Sequence, residues 1–436
     1  MVTHATVKLW GNPVGLVIWN EAEQRAQFQF DRRFARSGLD VAPIMMPLDQ
    51  ADGGNHVFAF ENAREDTFKG MPGLLADCLP DRFGEQLMNA WLMSQGRQPG
   101  TANPVERLCY TGSRGMGALE FEPAHHEMEP LGETLEVEEL VKVAGQVLDT
   151  RKKFVTRKSK GKEEELREIM QVGTSAGGAR AKAIVAYNAD TGEVRSGQVD
   201  GLKGFTYCLI KFDGVTADEL RDPKGFGRIE YAYYLMAREC GVEMMPCRLL
   251  EEHRRAHFLT QRFDRVRDDK GRVHKLHMAT LCGMAHMDYN EPLAYSYEQA
   301  FAVMRQLGLP YPAAAQFFRR MCFNAIARNH DDHTKNTSFL MDPQGDWHLA
   351  PAYDMTFAFN PGSIWLRQHQ LSINGKRIGI TRADLLKVAK DMNIKKADEI
   401  IGEVKAGVRK WKRLANEAGV LKKQVEAIGA LHLTRL

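Results

Sequence analysis

The 436 residues contain no CxxC pair, no long apolar run and almost no net charge. Each lack excludes something. The seven cysteines (Cys78, Cys109, Cys208, Cys240, Cys247, Cys282 and Cys322) are odd in number and scattered, most of them beside apolar residues, as in Tyr207-Cys208-Leu209. This argues against a disulfide or zinc framework and for small buried hydrophobes in a reducing compartment. No apolar stretch approaches the roughly 18 residues of a membrane span, and the mean hydropathy is −0.39. The start, Met1-Val2-Thr3-His4-Ala5-Thr6-Val7, lacks a basic segment followed by an apolar one. A cytoplasmic location without a membrane partner is therefore expected. With 59 Lys and Arg against 56 Asp and Glu, the formal charge is +3. That excludes a polybasic protein, though not a local basic face.

What is present is material for cores. Hydrophobic residues make up 44% and charged residues 26%, which excludes wholesale disorder and fits two or three packed units. The alternation in Thr6-Val7-Lys8-Leu9-Trp10, Val14 to Trp19 and Ala26 to Phe30 predicts three strands, with Gly11-Asn12-Pro13 turning the chain. A helix is predicted from Arg82 to Ser94, opened by Pro80-Asp81. The run Gly112-Ser113-Arg114-Gly115-Met116-Gly117 leads into a strand at Ala118 to Phe121. Residues 151 to 162, rich in Lys and Arg and followed by acidic residues from Glu163, read as a solvated connector. Strands are expected at Ala183 to Tyr187, at Thr206 to Phe212 and around Arg248 and Phe258, with a helix at Arg228 to Cys240. From about Tyr297 the chain turns helical, broken by a β-flavoured stretch at Ser338 to Met341.

The segment richest in chemistry is Asn329-His330-Asp331-Asp332-His333-Thr334-Lys335-Asn336. So many polar groups cannot be buried unless paired or ligating, and they follow an apolar helix (Phe317, Phe318, Met321, Cys322, Ala325, Ile326) that delivers them rigidly. Ala352-Tyr353-Asp354 comes after a hairpin-like stretch. An Asp, an Asn five residues on, then an Asp beyond a hairpin is the spacing of a kinase catalytic loop and its metal site. Taken alone, the segment also admits a transition-metal hydrolase cluster of His330, His333, Asp331 and Asp332, or a surface loop.

A second feature separates these readings. Val172 to Lys182 is a small-residue loop running into a strand; it does not match GxxxxGK[ST], so a Walker P-loop is excluded. A buried-looking strand with one lysine, Lys211, follows, then a helix with Glu230. A strand lysine paired with a helix glutamate is how kinases hold the α- and β-phosphates. A glycine loop, strand Lys, helix Glu, Asp-x4-Asn and Asp, in that order, match a kinase; a hydrolase explains only the third element.

The sequence resembles the HipA serine/threonine kinases, toxins of bacterial type II toxin–antitoxin modules. Val7 to Trp19, Leu79-Pro80-Asp81-Arg82-Phe83-Gly84-Glu85 and Tyr110 to Leu119 resemble that family's N-terminal domain. The Ser175 loop, Gln261-Arg262-Phe263-Asp264-Arg265, Asn329 to Asn336 and Ala352-Tyr353-Asp354 resemble its kinase core. The resemblance implies an α+β, two-lobed protein-kinase-like fold, with a mixed α/β N-lobe and an all-helical C-lobe, behind a small β-rich N-terminal domain. The implied boundaries are 1–125, 126–263 and 264–436.

It also implies ATP and Mg²⁺ as cofactors, with roles residue by residue. Asp331 would be the base, with His333 and Lys335 on the nucleotide side. Asn336 and Asp354 would hold Mg²⁺, and Tyr353 would lie beside ATP. Lys211 would contact the phosphates, with Glu230 in support. Gly177, Gly178, Ala179, Arg180, Ala181 and Lys182 would cover them, and Gln261, Arg262 and Phe263 would form the hinge beside adenine. Ser175 matches the autophosphorylated serine that switches the kinase off, with Thr174 a second hydroxyl next to it. Asp332 stands where the family's best-known member has glycine, so Asp331 and Asp332 compete for the base, and Asp332 is a candidate for positioning substrate or metal.

The implied partners are a HipB-like antitoxin, operator DNA reached through it, and a protein substrate such as an aminoacyl-tRNA synthetase, with glutamyl-tRNA synthetase the leading case, whose phosphorylation would arrest growth and promote persistence. Lys376, Arg377, Arg382, Lys387 and Lys390 are candidates for DNA phosphate contact, and equally for ordinary solvated cations. A kinase-fold co-repressor acting on DNA and a small-molecule kinase are the alternative readings.

Overall fold

The computed structural model describes residues 2–61, 64–124, 134–148, 180–199, 201–215, 225–252 and 255–436. Ser175, Thr174, Gly177, Gly178, Ala179 and the charged stretch at 151–162 lie outside the described residues. Contacts divide the chain into two units. Unit 1 comprises Met1–Lys224, Leu250–Met278 and Met341–Gly345; unit 2 comprises Gly225–Leu249, Ala279–Leu340 and Asp346–Leu436. This division cuts across the boundaries expected at 125 and 263. No helix among the described residues is long and apolar enough to cross a membrane.

In unit 1, β1 (His4–Leu9), β2 (Asn12–Asn20), β3 (Arg25–Phe30), β4 (Val57–Phe58) and β5 (Leu119–Glu122) form an antiparallel sheet in the order β4-β3-β2-β1-β5. Ala5, Val7 and Leu9 are buried and their neighbours are not, the period-two pattern of a half-covered strand. Trp10 (φ 50°) and Gly11 (φ 79°) make the two-residue turn into β2, where both central residues need positive φ.

A second sheet is built from β6 (Lys182–Tyr187), β7 (Val194–Ser196), β8 (Thr206–Lys211), β9 (Cys247–Glu252) and β10 (Arg255–Gln261), in the order β7-β6-β8-β10-β9. The helix Arg82–Ser94, opened by Asp81 accepting from Gly84 N at 2.7 Å, lays Phe83, Leu87 and Trp91 against Ala183, Val185 and Ile210 of this sheet. The helix Val137–Leu148 adds Leu140, Val141 and Ala144 to the same core. Residues of the N-terminal segment thus complete the core under the second sheet, and each buried Leu or Phe contributes about 1.5–3 kcal/mol. A hairpin of β11 (Arg265–Arg267) and β12 (Val273–Lys275) follows.

Unit 2 is mainly helical. Three short strands, β13 (His277–Thr280), β14 (Ser338–Met341) and β15 (Trp347–Leu349), are ordered β13-β14-β15. Ser296 and Gln299 close a capping box that starts the helix Tyr297–Gln306. The helix Tyr311–Ile326 buries nearly all of its last ten residues and packs against Ala397–Val408. The helix Phe226–Glu239 is fastened to its end by Tyr233, whose hydroxyl donates to Ala327 O at 2.6 Å.

Candidate active site

The polar loop is placed by the end of the helix Tyr311–Ile326. Past Ala327, Arg328 takes a left-handed conformation (φ 59°), uncommon outside glycine, which turns the chain out of the helix. The next residues are pinned to Ala358: His330 N donates to Ala358 O at 3.0 Å, and Ala358 N to Arg328 O at 3.1 Å. Thr334 Oγ1 donates to Met287 O at 2.6 Å and fixes the far side.

Two adjacent carboxylates on this loop meet opposite environments. The Asp332 side chain is 2% exposed and accepts from Tyr297 Oη (2.8 Å), His369 Nδ1 (2.8 Å) and Gln370 N (2.7 Å). Burial works against its charge, yet His369 and these donors hold its carboxyl below the usual carboxylate range. The Asp331 side chain is 46% exposed, with His333 Nε2 3.7 Å from one oxygen. Its backbone carbonyl accepts from Asn336 Nδ2 at 2.7 Å. One carboxylate is therefore consumed by the fold, and the other is fixed at its backbone and open at its tip.

Asp332, His333, Asn336, Tyr353 and Asp354 line one small cleft of unit 2, together with Tyr297 and Arg320. Asp354 has φ 52°, a costly backbone for a non-glycine residue and one that concentrates at functional sites. Tyr353 Oη donates to Lys335 O at 2.6 Å and lies 2.5 Å from Ser338 Oγ, so it braces the loop from beneath. Lys335 Nζ sits 4.9 Å from the centre of the Tyr289 ring. Among the described residues, no three His, Cys, Asp or Glu side chains gather as a metal cluster, as the hydrolase alternative would require. A hard cation asks for less. Because the Asn336 amide donates through its nitrogen, its oxygen is left for a ligand, and Asp354 lines the same cleft with a carboxylate; an amide oxygen and a carboxylate suit Mg²⁺.

The remaining candidates of unit 1 are set by the second sheet. Lys182 and Lys211 face each other across the β6–β8 pair. Lys182 is 3% exposed, 3.4 Å from Asp81. Lys211 is half-buried, its Nζ 5.8 Å from the centre of the Phe258 ring. Ala181 is buried and Arg180 half-buried. Gln261 and Phe263 are half-buried, whereas the Arg262 guanidinium turns fully inward onto Asp264, with Nε at 2.9 Å and an Nη at 2.7 Å. Arg262 also reaches Gly115 O at 3.2 Å, Arg265 donates to Gly117 O at 3.0 Å, and Gly117 N donates to Asp264 at 2.6 Å. Two motifs distant in sequence are thereby locked together. Gly117 (φ 80°) has no room for a side chain, since a Cβ there would meet Met278 N at 3.0 Å. Glu230 is buried in the helix Phe226–Glu239 of unit 2, whereas Lys211 belongs to unit 1.

Of the DNA candidates, Lys376 pairs with Asp384 (2.9 Å), Arg382 with Asp398 and Lys387 with Asp391. Arg377 donates to Tyr295 O at 2.7 Å, and Lys390 is exposed. Sequence reading missed His369, Tyr297, Gln370 and Arg320. The first three are distant in the chain from the carboxylate they surround, and no local spacing announces them. Arg320 carried one signal, a cation on the apolar stripe of a helix; its guanidinium donates to Ala350 O at 2.7 Å, and burial pushes its pKa down to about 10.

A family profile described as HipA-like C-terminal domain matches residues 174–411, more than half of the chain, and one described as HipA N-terminal domain matches residues 5–122. Among curated proteins, "Putative kinase Y4mE" of Sinorhizobium fredii is 27% identical over 125 residues, a match spanning 28% of this chain and 30% of that protein. Among solved structures, the toxin–antitoxin system HipA, HipB and operator DNA complex of Shewanella oneidensis MR-1 aligns over 99% of this chain and 95% of that chain, with a TM-score of 0.67 at 16% identity. That likeness is one of fold.

Proposed function

We propose that this chain, which belongs to the HipA family, is an ATP-dependent protein serine/threonine kinase and the toxin of a toxin–antitoxin module. The observation that carries the reading is the contrast between the two adjacent carboxylates. Asp331 keeps an open carboxylate on a clamped backbone, as a base accepting a proton from a substrate hydroxyl requires. Asp332 is 2% exposed and already accepts from three donors, which suits it to holding the loop rather than to taking a substrate proton. Asn336 and Asp354 would hold Mg²⁺, which would neutralise phosphate charge when bound. Lys211 would meet phosphate oxygens, His333, Lys335 and Tyr353 would border the nucleotide, and Arg180 to Lys182 would continue the covering loop. Gln261 and Phe263 would border the adenine; with its guanidinium engaged by Asp264, Arg262 would take part through its backbone.

Ser175 would be the autophosphorylated off-switch, because two added charges do not fit a cradle shaped for phosphates. The solved relative is a complex with HipB and operator DNA. For this chain we propose a HipB-like antitoxin, with DNA contacted through it, and a translation protein such as an aminoacyl-tRNA synthetase as substrate. The test is incubation of wild type and Asp331→Asn with labelled ATP and host proteins, followed by phosphopeptide mass spectrometry. Wild type is expected to label host protein and Ser175, and the variant to be slower by about 10²–10⁴-fold. Wild type yielding neither phosphoprotein sinks the reading.

A further inference from the structure

We infer that Asp332 and His369 form a positioning pair that sets the backbone of Asp331; the inference rests on the reading of Asp331 as the base. Asp332 gathers three donors from two distant stretches of unit 2: Tyr297, at the start of its helix, and His369 and Gln370, in the segment that follows Leu366. His369 is itself buried, 2% exposed, and its ring centre stands 4.2 Å from that of His330. His330 is tied through Nδ1 to Leu366 O at 3.1 Å, so the two segments meet at two places. Arg377 staples the His369 strip from the other side, donating to the carbonyls of His369, Gln370 and Tyr295.

The network continues inward. Asn324 Nδ2 donates to Tyr297 Oη at 3.0 Å, and Asn329 Nδ2 to Asn324 Oδ1 at 3.0 Å. A chain of hydrogen bonds therefore runs from the helix that delivers the loop, through Tyr297, to Asp332, the residue immediately after Asp331. On the other side, Asn336 Nδ2 holds the Asp331 carbonyl. Asp331 is clamped before and behind, while its carboxylate stays free to meet a substrate. Neither Asp332 nor His369 touches the reacting groups in this account; both act through the placement of Asp331.

The test compares wild type, His369→Leu and His369→Asn as full-length proteins. The Asn amide places an N–H near the position of Nδ1, whereas Leu keeps bulk without a donor. Deuterium uptake at residues 329–336 is expected to rise in His369→Leu and to stay near wild type in His369→Asn. For phosphotransfer, kcat is expected to fall about 100-fold in His369→Leu with the KM for ATP held within about threefold, and to recover largely in His369→Asn. Where the Leu variant does not fold, His369→Gln, whose amide reaches the Nε2 position instead, takes its place and is expected to behave as the loose form. Unchanged uptake in the donor-less variant, or equal impairment of the Asn variant, overturns the pair. Uptake needs no activity, so a wild type that transfers no phosphate sinks the kinase reading while exchange still decides this one.

Discussion

Replacing Asp264 with leucine is expected to be among the most damaging single changes in unit 1. Its carboxylate is fully buried and receives four hydrogen bonds: two from Arg262 (2.9 and 2.7 Å), one from Arg265 (2.9 Å) and one from Gly117 N (2.6 Å). Burial alone would raise its pKa, but the two guanidinium groups hold it well below the usual carboxylate range. Without the anion, the Arg262 side chain, 0% exposed and already with one nitrogen lacking a partner among the described residues, becomes an uncompensated buried cation. Breaking a buried ion pair from one side costs about 3–5 kcal/mol.

The pH dependence follows from the sign of the shift. A carboxyl with a depressed folded pKa contributes stability that is complete above its unfolded value of about 3.9, and this contribution is lost only as pH falls through the folded value. The penalty of Asp264→Leu is therefore expected to be flat from pH 5 to 8. The assay is urea unfolding of wild type, Asp264→Leu and Asp264→Leu with Arg262→Met. The double variant is expected to lose less than the sum of the single losses, because the second change removes the orphaned cation. A single-variant loss under about 1 kcal/mol, or strict additivity, refutes the buried-charge reasoning.

Two further outcomes are expected. Asp331→Asn should leave urea stability within about 0.5 kcal/mol of wild type, whereas Asp332→Asn should cost about 1–3 kcal/mol by leaving a buried donor around it without its acceptor; equal stabilities in one urea series would contradict the division of roles. Buried His277 and half-buried His432 have pKa values pushed down to about 4, in both cases chiefly by desolvation. An unfolded histidine takes its proton near pH 6.5, so the unfolded chain binds more protons between pH 6.5 and 4, and stability falls as pH drops through that window. His277→Gln should make that slope shallower, and calorimetry across the window showing an unchanged slope would count against it.

Much of the local structure was legible in the residues. The helix Arg82–Ser94 begins after an Asp that caps it, β1 to β3 alternate, and each signal is complete within a dozen residues. The fold class was implied by the resemblance those motifs carry and agrees with the HipA-like architecture. Which elements share a core was less legible, because Phe83 and Leu87 lie in the first segment of the chain yet pack in one core with Ala183, Val185 and Ile210. An apolar face records that it needs cover without naming its partner.

The sequence by itself determined that an Asp and an Asn five residues on would stand on a loop behind an apolar helix, with a later Asp beyond a hairpin, because spacing along the chain carries that information. Only the tertiary structure set Asp331 and Asp332 in different surroundings, since two adjacent carboxylates are chemically alike until the fold distinguishes them. Tyr297, His369 and Gln370 lie 35 to 38 residues from Asp332 along the chain, and folding brings all three to it. Burial with three donors ties Asp332 into the fold, while the Asp331 carboxylate stays 46% exposed, the difference on which the proposed division of roles rests.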